Sequence, residues 1–272
     1  MVSFHLLPAE ILRHPRIMLT LLTTEGGGGK IRLLDAGAYR DHNVDISLMA
    51  HPGVTPDAAL VRTAAYSGMK VEYFGKEAHA AARPWEGVCS PFQVCLRCAN
   101  DCSQINALDA LITAYNAVSV LRQQTQPGDI IQSQIINGGL KPNIIHAYSS
   151  GQFVVRSATK ARLDALHARV LPCFSAGATA TGAKLKITPF RYSYQDHVPN
   201  HVLAAMYRKH SNALGGQIPE NYTAITQAST DQGNISHVLP SLHTNFWIPS
   251  EEGEGGGPHT PDFAKSARSE QS

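Results

Sequence analysis

Residues 106–136, NALDALITAYNAVSVLRQQTQPGDIIQSQII, decide the fold. Ala107, Leu108, Leu111, Ile112, Tyr115, Val118 and Leu121 recur at helical spacing, which predicts a helix over 106–124. Pro127-Gly128-Asp129 stops it, and 130–136 reads as a strand closed by Asn137-Gly138-Gly139. Upstream, 69–75 (MKVEYFG) alternates apolar and polar residues and suits a strand. Downstream, 152–159 reads as a strand. A helix from Lys160 to about Thr181 is predicted in its first half, with Leu163, Leu166 and Val170 on one face. Pro172 predicts an irregularity or kink there, because proline cannot donate to the helix ladder. A last strand covers 184–190.

The order β-α-β-β-α-β is the split βαβ, ferredoxin-like arrangement. It makes a unit of residues 67–190, large enough to be compact by itself. The flanks are too short to form one domain each, so 1–66 and 191–272 are expected to combine into a second domain that receives the middle unit. In these flanks 46–49 reads as a buried strand end and 244–248 as a short strand. Residues 201–214 read as a helix ended by Gly215-Gly216. The expected fold class is α/β.

The chain has 272 residues, 43% of them hydrophobic and 16% charged, which excludes a disordered solvating chain. A net charge of +2, with no basic stripe, excludes nucleic acid as an expected partner. No apolar run reaches the roughly 18 residues that suggest a membrane span. The first residues lack the small-residue cleavage pattern of a signal peptide, so the expected location is cytoplasmic.

Several residues are candidates for chemistry. Glu25 precedes four glycines and Lys30, but the run is not a P-loop. Thr24 stands where the first glycine belongs, and Ile31 follows the lysine in place of Ser or Thr. The glycines instead suit a backbone passing close to a site, with a helix starting at Lys30. His51 lies between a strand and a Pro-Gly turn, a place where open α/β sheets bind ligands. By itself it also fits a capping or surface residue. His79 is flanked by small alanines, and His259 follows a second glycine-rich loop. Glu25, His51 and His259 make a mixed nitrogen and oxygen metal site only if the fold unites them. Cys89, Cys95, Cys98 and Cys102 cluster in residues 89–105. They fit either a zinc or iron–sulfur site or reduced thiols in an inserted block.

With residues 89–105 set aside, GKEAHAAARPWEGV (75–88) runs into NALDALITAYNAV (106–118). This strongly resembles the lid, or dimerisation, domain of the M20 metallopeptidase and amidohydrolase family, in its M20 domain-containing protein 2, Xaa-Arg dipeptidase-like branch. Further motifs agree in order: EGGGGKIRLLDAGAY, DISLMAHPG, INGG with Pro142-Asn143-Ile144-Ile145, STDQGNISHVLPSLH and PHTPDFAKSA. The resemblance spans 25–267 apart from the block.

It implies an α/β catalytic domain holding two zinc ions, with an inserted ferredoxin-like lid that pairs in a homodimer. It implies hydrolysis of amide bonds in dipeptides or N-acyl amino acids. Glu25 matches a metal-binding glutamate, His51 the ligand in the His-Pro-Gly turn, and His259 the C-terminal ligand. His79 matches the lid histidine that stabilises the oxyanion, and Asn143 a lid position facing the substrate.

The chain also departs from the pattern. Thr24 occupies the position of the general-base glutamate, and Met1 to Thr23 lacks the upstream histidine and bridging aspartate. A threonine hydroxyl is not an ionised base near neutral pH. The chain is therefore expected to be N-terminally truncated relative to an active enzyme, with residues 89–105 read as translated intron. As written it is expected to be weakly active or inactive. The alternative is a non-catalytic, lid-mediated dimer.

Overall fold

A computed structural model describes residues 27–81, 105–220, 223–248 and 260–266. The chain divides into two compact units. One joins the residues up to Ala65 with those from Tyr194 onward, and the other is Tyr66–Ser193.

The first unit begins with helices α1 (Gly29–Asp35) and α2 (Ala38–Asp41) and strands β1 (Ser47–Gly53) and β2 (Val61–Arg62). After them come β3 (Ala65–Phe74), β4 (Ala78–His79), α3 (Ala107–Arg122), β5 (Ile130–Asn137), β6 (Ile144–Ile145), β7 (Tyr148–Ser157), α4 (Lys160–Thr181) and β8 (Lys184–Pro189). The chain then returns to the first unit with α5 (His201–Ala213), β9 (Ala224–Ile225), α6 (Gln232–Ser236), β10 (Ser241–Trp247) and α7 (Pro261–Ser266).

In the Tyr66–Ser193 unit the four-stranded sheet has the order β5-β7-β3-β8. Counted within the unit this is second, third, first, fourth strand, the ferredoxin-like order that the sequence predicts. Met69, Val71 and Tyr73 of β3 and Phe153 and Val155 of β7 are buried, as are Leu111, Ala114 and Val118 of α3 and Leu163, Val170 and Phe174 of α4. The Phe153 and Phe174 rings meet edge to face at 4.6 Å, and the Tyr73 hydroxyl donates to the Phe174 carbonyl at 2.8 Å. Asn106 caps α3 by accepting from the Leu108 N–H, and Thr159 caps α4 by accepting from the Arg162 N–H.

Three details differ from the sequence reading. The α4 helix runs unbroken through Pro172. Pro172 and Ala168, whose carbonyl loses its donor, both lie on the exposed face, which is open to solvent. The strand expected at 152 starts at Tyr148, across a Ser-Ser-Gly sequence that resembles a turn. Burial makes it a strand: Ser149 is fully buried and its hydroxyl donates to the Ala107 carbonyl at 2.6 Å. The third difference is that β1 continues through His51 and Pro52 to Gly53 and does not end before them.

In the other unit β1 and β10 pair in parallel, with Met49 opposite His243 and His51 opposite Asn245. Among the described residues each is an edge strand of a two-stranded sheet, so the missing N–H of Pro52 is tolerated. Ile46, Leu60, Leu203, Ala204, Ile218 and Leu242 form an apolar core under this sheet. Asn200 caps α5 by accepting from the Leu203 N–H at 3.0 Å. Among the described residues no helix is long and apolar enough to cross a membrane.

Close helix packing in the Tyr66–Ser193 unit rests on Gly177. A Cβ there would collide with the Ala110 carbonyl of α3. Gly177→Val is expected to destabilise the protein by about 2 kcal/mol through overpacking. A lowered urea midpoint at unchanged slope checks this.

Candidate functional site

His51 is half-buried near the end of β1. Its Nδ1 lies 2.6 Å from the Pro52 carbonyl oxygen, which can only accept. Nδ1 therefore carries the proton and donates, leaving the Nε2 lone pair available to a ligand. A carbonyl that accepts from one ring nitrogen in this way is what orients a metal-binding imidazole.

Two further histidines stand behind it. Because β-strand side chains alternate, His51 and His243 share one face of the β1–β10 pair. Their rings meet edge-on, with centroids 6.2 Å apart. His197, in the segment before α5, meets His243 in the same way at 5.9 Å. His197 is 3% exposed and His243 6%. Neither ring nitrogen of His197, nor Nδ1 of His243, has a well-formed hydrogen bond.

Burial pushes the His197 pKa down to about 4, against smaller upward pulls from the Val61 backbone and Asp196. Burial, then the neighbouring His197, His51 and Lys30, push His243 down to about 3. Both rings are neutral at pH 7.

The STDQGN motif builds this arrangement. The Asp231 carboxylate accepts from the Lys30 backbone N–H at 2.9 Å and from its Nζ at 2.8 Å, closing the N-terminus of α1. The fully buried Gln232 donates to the Ser47 hydroxyl at 3.0 Å, tying α6 to the start of β1. Gly233 lets the segment carrying His197 pass, since a Cβ there would strike the Gln195 carbonyl. Asn234 accepts from the Gln195 N–H, Ser236 accepts from the Val198 N–H, and the His237 ring meets the Asp196 carbonyl at 2.9 Å.

In the Tyr66–Ser193 unit, β4 and β6 pair so that His79 is opposite Ile144. The Ala80 N–H donates to the Asn143 carbonyl at 2.9 Å. The fold thus brings the backbones of His79 and Asn143 close, and both residues are exposed. His79 Nδ1 accepts from the Ala81 N–H at 3.2 Å, so in the neutral ring Nε2 is the N–H donor. Such a donor suits a developing negative oxygen.

Thr24, Glu25 and His259 lie outside the described residues, as do Cys89, Cys95, Cys98 and Cys102. Of the block 89–105 only Ile105 is described, and it bridges to Lys76. Among the described residues no group of three His, Cys, Asp or Glu side chains is placed to hold a metal ion. His243 lay inside a motif, but its role depends on strand register. His197 had no local signal at all.

No protein-family model matches the chain. It is 36% identical over 266 residues to a Xaa-Arg dipeptidase from Mus musculus, covering 96% of this chain and 56% of the relative. It is 35% identical over 262 residues to a Xaa-Arg dipeptidase from Homo sapiens, covering 94% of this chain and 55% of the relative.

The chain is thus similar to Xaa-Arg dipeptidases over nearly all of its own length.

The chain spans about half the length of the curated relatives it matches. Solved structures agree in fold. An aminobenzoyl-glutamate utilization protein from Klebsiella pneumoniae matches with a TM-score of 0.58 at 15% identity, covering 79% of this chain and 52% of that one. A hydantoinase/carbamoylase family amidase from Burkholderia ambifaria matches with a TM-score of 0.53 at 15% identity, covering 81% and 57%.

The buried neutral histidines make stability depend on pH. The folded pKa of His197 lies below the unfolded value of about 6.5, so the unfolded chain binds the proton first. The protein is expected to hold full stability above that value and to lose part of it as pH falls towards about 4. Urea midpoints at falling pH check this, and His197→Gln is expected to flatten the profile.

Proposed function

We propose that the chain belongs to the M20 metallopeptidase and amidohydrolase family and carries the site of a metal-dependent hydrolase for the amide bond of dipeptides or N-acyl amino acids. The observation that carries the reading is the Nδ1 bond of His51 to the Pro52 carbonyl, which leaves Nε2 to a metal. The curated relatives are named Xaa-Arg dipeptidases, so a dipeptide ending in arginine is the first substrate to test. On this reading the unit Tyr66–Ser193 is the inserted lid, and the unit that joins the residues up to Ala65 with those from Tyr194 onward belongs to the catalytic domain.

One carboxylate and two imidazoles, from Glu25, His51 and His259, are a donor set suited to zinc. The described member of that set fits, since its ligand nitrogen is free of the proton. Bound zinc polarises a carbonyl and lowers the pKa of water. His51 holds its ligand nitrogen in one orientation through Pro52. The family resemblance makes His79 the lid histidine that stabilises the oxyanion and Asn143 a lid position that faces the substrate, and their backbones run close together where β4 meets β6.

Thr24 cannot take the proton that a glutamate would take at its position. The M20 chain by itself is therefore weakly active or inactive. With zinc or cobalt added, it is expected to cleave an Xaa-Arg dipeptide at close to the buffer rate, while His51→Ala weakens zinc binding in a calorimetric titration. A rate comparable to that of a full-length relative overturns the impairment, and unchanged zinc binding overturns the role of His51.

A second reading, a lid-mediated homodimer without catalysis, is favoured by apolar residues on the lid surface. Ile135 and Ile136 on the edge strand β5 are 44% and 49% exposed, and Val120 on α3 is 66% exposed. Dimerisation needs no metal and is compatible with either reading. Light scattering after size exclusion is expected to give a dimer mass, and Val120→Asp with Ile135→Lys a monomer.

A further inference from the structure

We propose that His243, backed by His197, is a positioning residue that holds the His51 ring in its ligand-presenting orientation. The inference rests on the reading of His51 as a metal ligand and deepens it.

The Nδ1 bond to Pro52 exists for only one setting of the His51 ring about its Cβ–Cγ bond. The ring is half-buried, and one short hydrogen bond at the end of a two-stranded sheet does not by itself prevent a flip. A flipped ring would present its other edge, and the proton would then be free to settle on Nε2, closing the nitrogen that a metal needs. His243 closes off that alternative. The parallel register places it on the same face as His51 and one step behind it. Its ring meets the His51 ring edge-on, with an interplanar angle of 66°.

His243 cannot retreat. On its far side stands His197, edge-on again with an interplanar angle of 77°, in a segment tied at Gln195 and Val198 to the α6 motif. Both rings are almost wholly buried, so the stack His197–His243–His51 is rigid at its inner end and open only at His51. A ligand side chain is held in geometry by such packing behind it as well as by its own hydrogen bond.

The role is one of shape, so a flat apolar ring should replace His243 and a small side chain should not. Long-range 1H–15N NMR of the metal-free full chain reads the His51 tautomer directly. A single Nδ1–H form is expected in the unmodified protein, a mixture with Nε2–H in His243→Ala, and the single form again in His243→Phe. Zinc affinity, measured by competition with a chromophoric chelator, is expected to fall about tenfold in His243→Ala and to recover in His243→Phe. His197→Ala, which leaves both other rings in place, is expected to shift the tautomer in the same direction. It also serves as the probe if His243→Ala does not fold.

A merely structural role would lower the melting temperature and leave the tautomer of the folded protein single. His51 retaining its single Nδ1–H form in the folded alanine variants overturns the proposal. Zinc binding undiminished by His51→Ala overturns the ligand reading instead, and the tautomer comparison still decides whether His243 positions the ring.

Discussion

The parallel pairing of β1 with β10 is the constraint on which the candidate site depends. It joins residues 47–53 to residues 241–247 and places His51 and His243 on one face. Parallel strands cannot be joined by a tight turn and need a crossover. Here the crossover contains the whole Tyr66–Ser193 unit. The ladder between β1 and β10 therefore closes a very long loop, and it is reinforced on both sides. Gln232 binds Ser47 at the start of β1, and Asp231 binds Lys30 at the start of α1.

The α6 motif links these contacts to the histidines. Successive residues of one short segment perform different tasks. Asp231 closes α1, Gln232 holds β1, Gly233 gives room to the chain at Gln195, and Asn234 and Ser236 bind that chain. The result is a buried His197 packed against His243, which in turn packs against His51. The Tyr66–Ser193 unit solves a separate problem. Its helices pack closely where Gly177 lies against Ala110, and its β4–β6 ladder sets His79 beside Asn143.

Much of the Tyr66–Ser193 unit was legible because its signals are local. Apolar spacing marks α3, alternation marks β3, and Pro127-Gly128 separates α3 from β5. Local signals misled where tertiary burial overrode them. Ser149, Ser150 and Gly151 resemble a turn but form a strand, since Ser149 finds a buried carbonyl to bond. Pro172 suggests an irregularity or kink, but the helix continues through it on a face open to solvent. His51 resembles the residue after a strand, yet the strand continues through it, because β10 pairs as far as Gly53.

The sequence by itself determined the α/β class, the ferredoxin-like order of the middle unit and the choice of His51, His79 and Asn143 as candidates. Periodicity, turn chemistry and motif order are written along the chain and need no partner to be read. Only the tertiary structure decided which nitrogen of His51 is free, that His79 and Asn143 are neighbours, and that His243 and His197 stand behind His51. Those facts depend on strand register and on buried contacts between residues far apart in sequence. A register shift of one residue would turn His243 to the opposite face with no change in the sequence pattern around it.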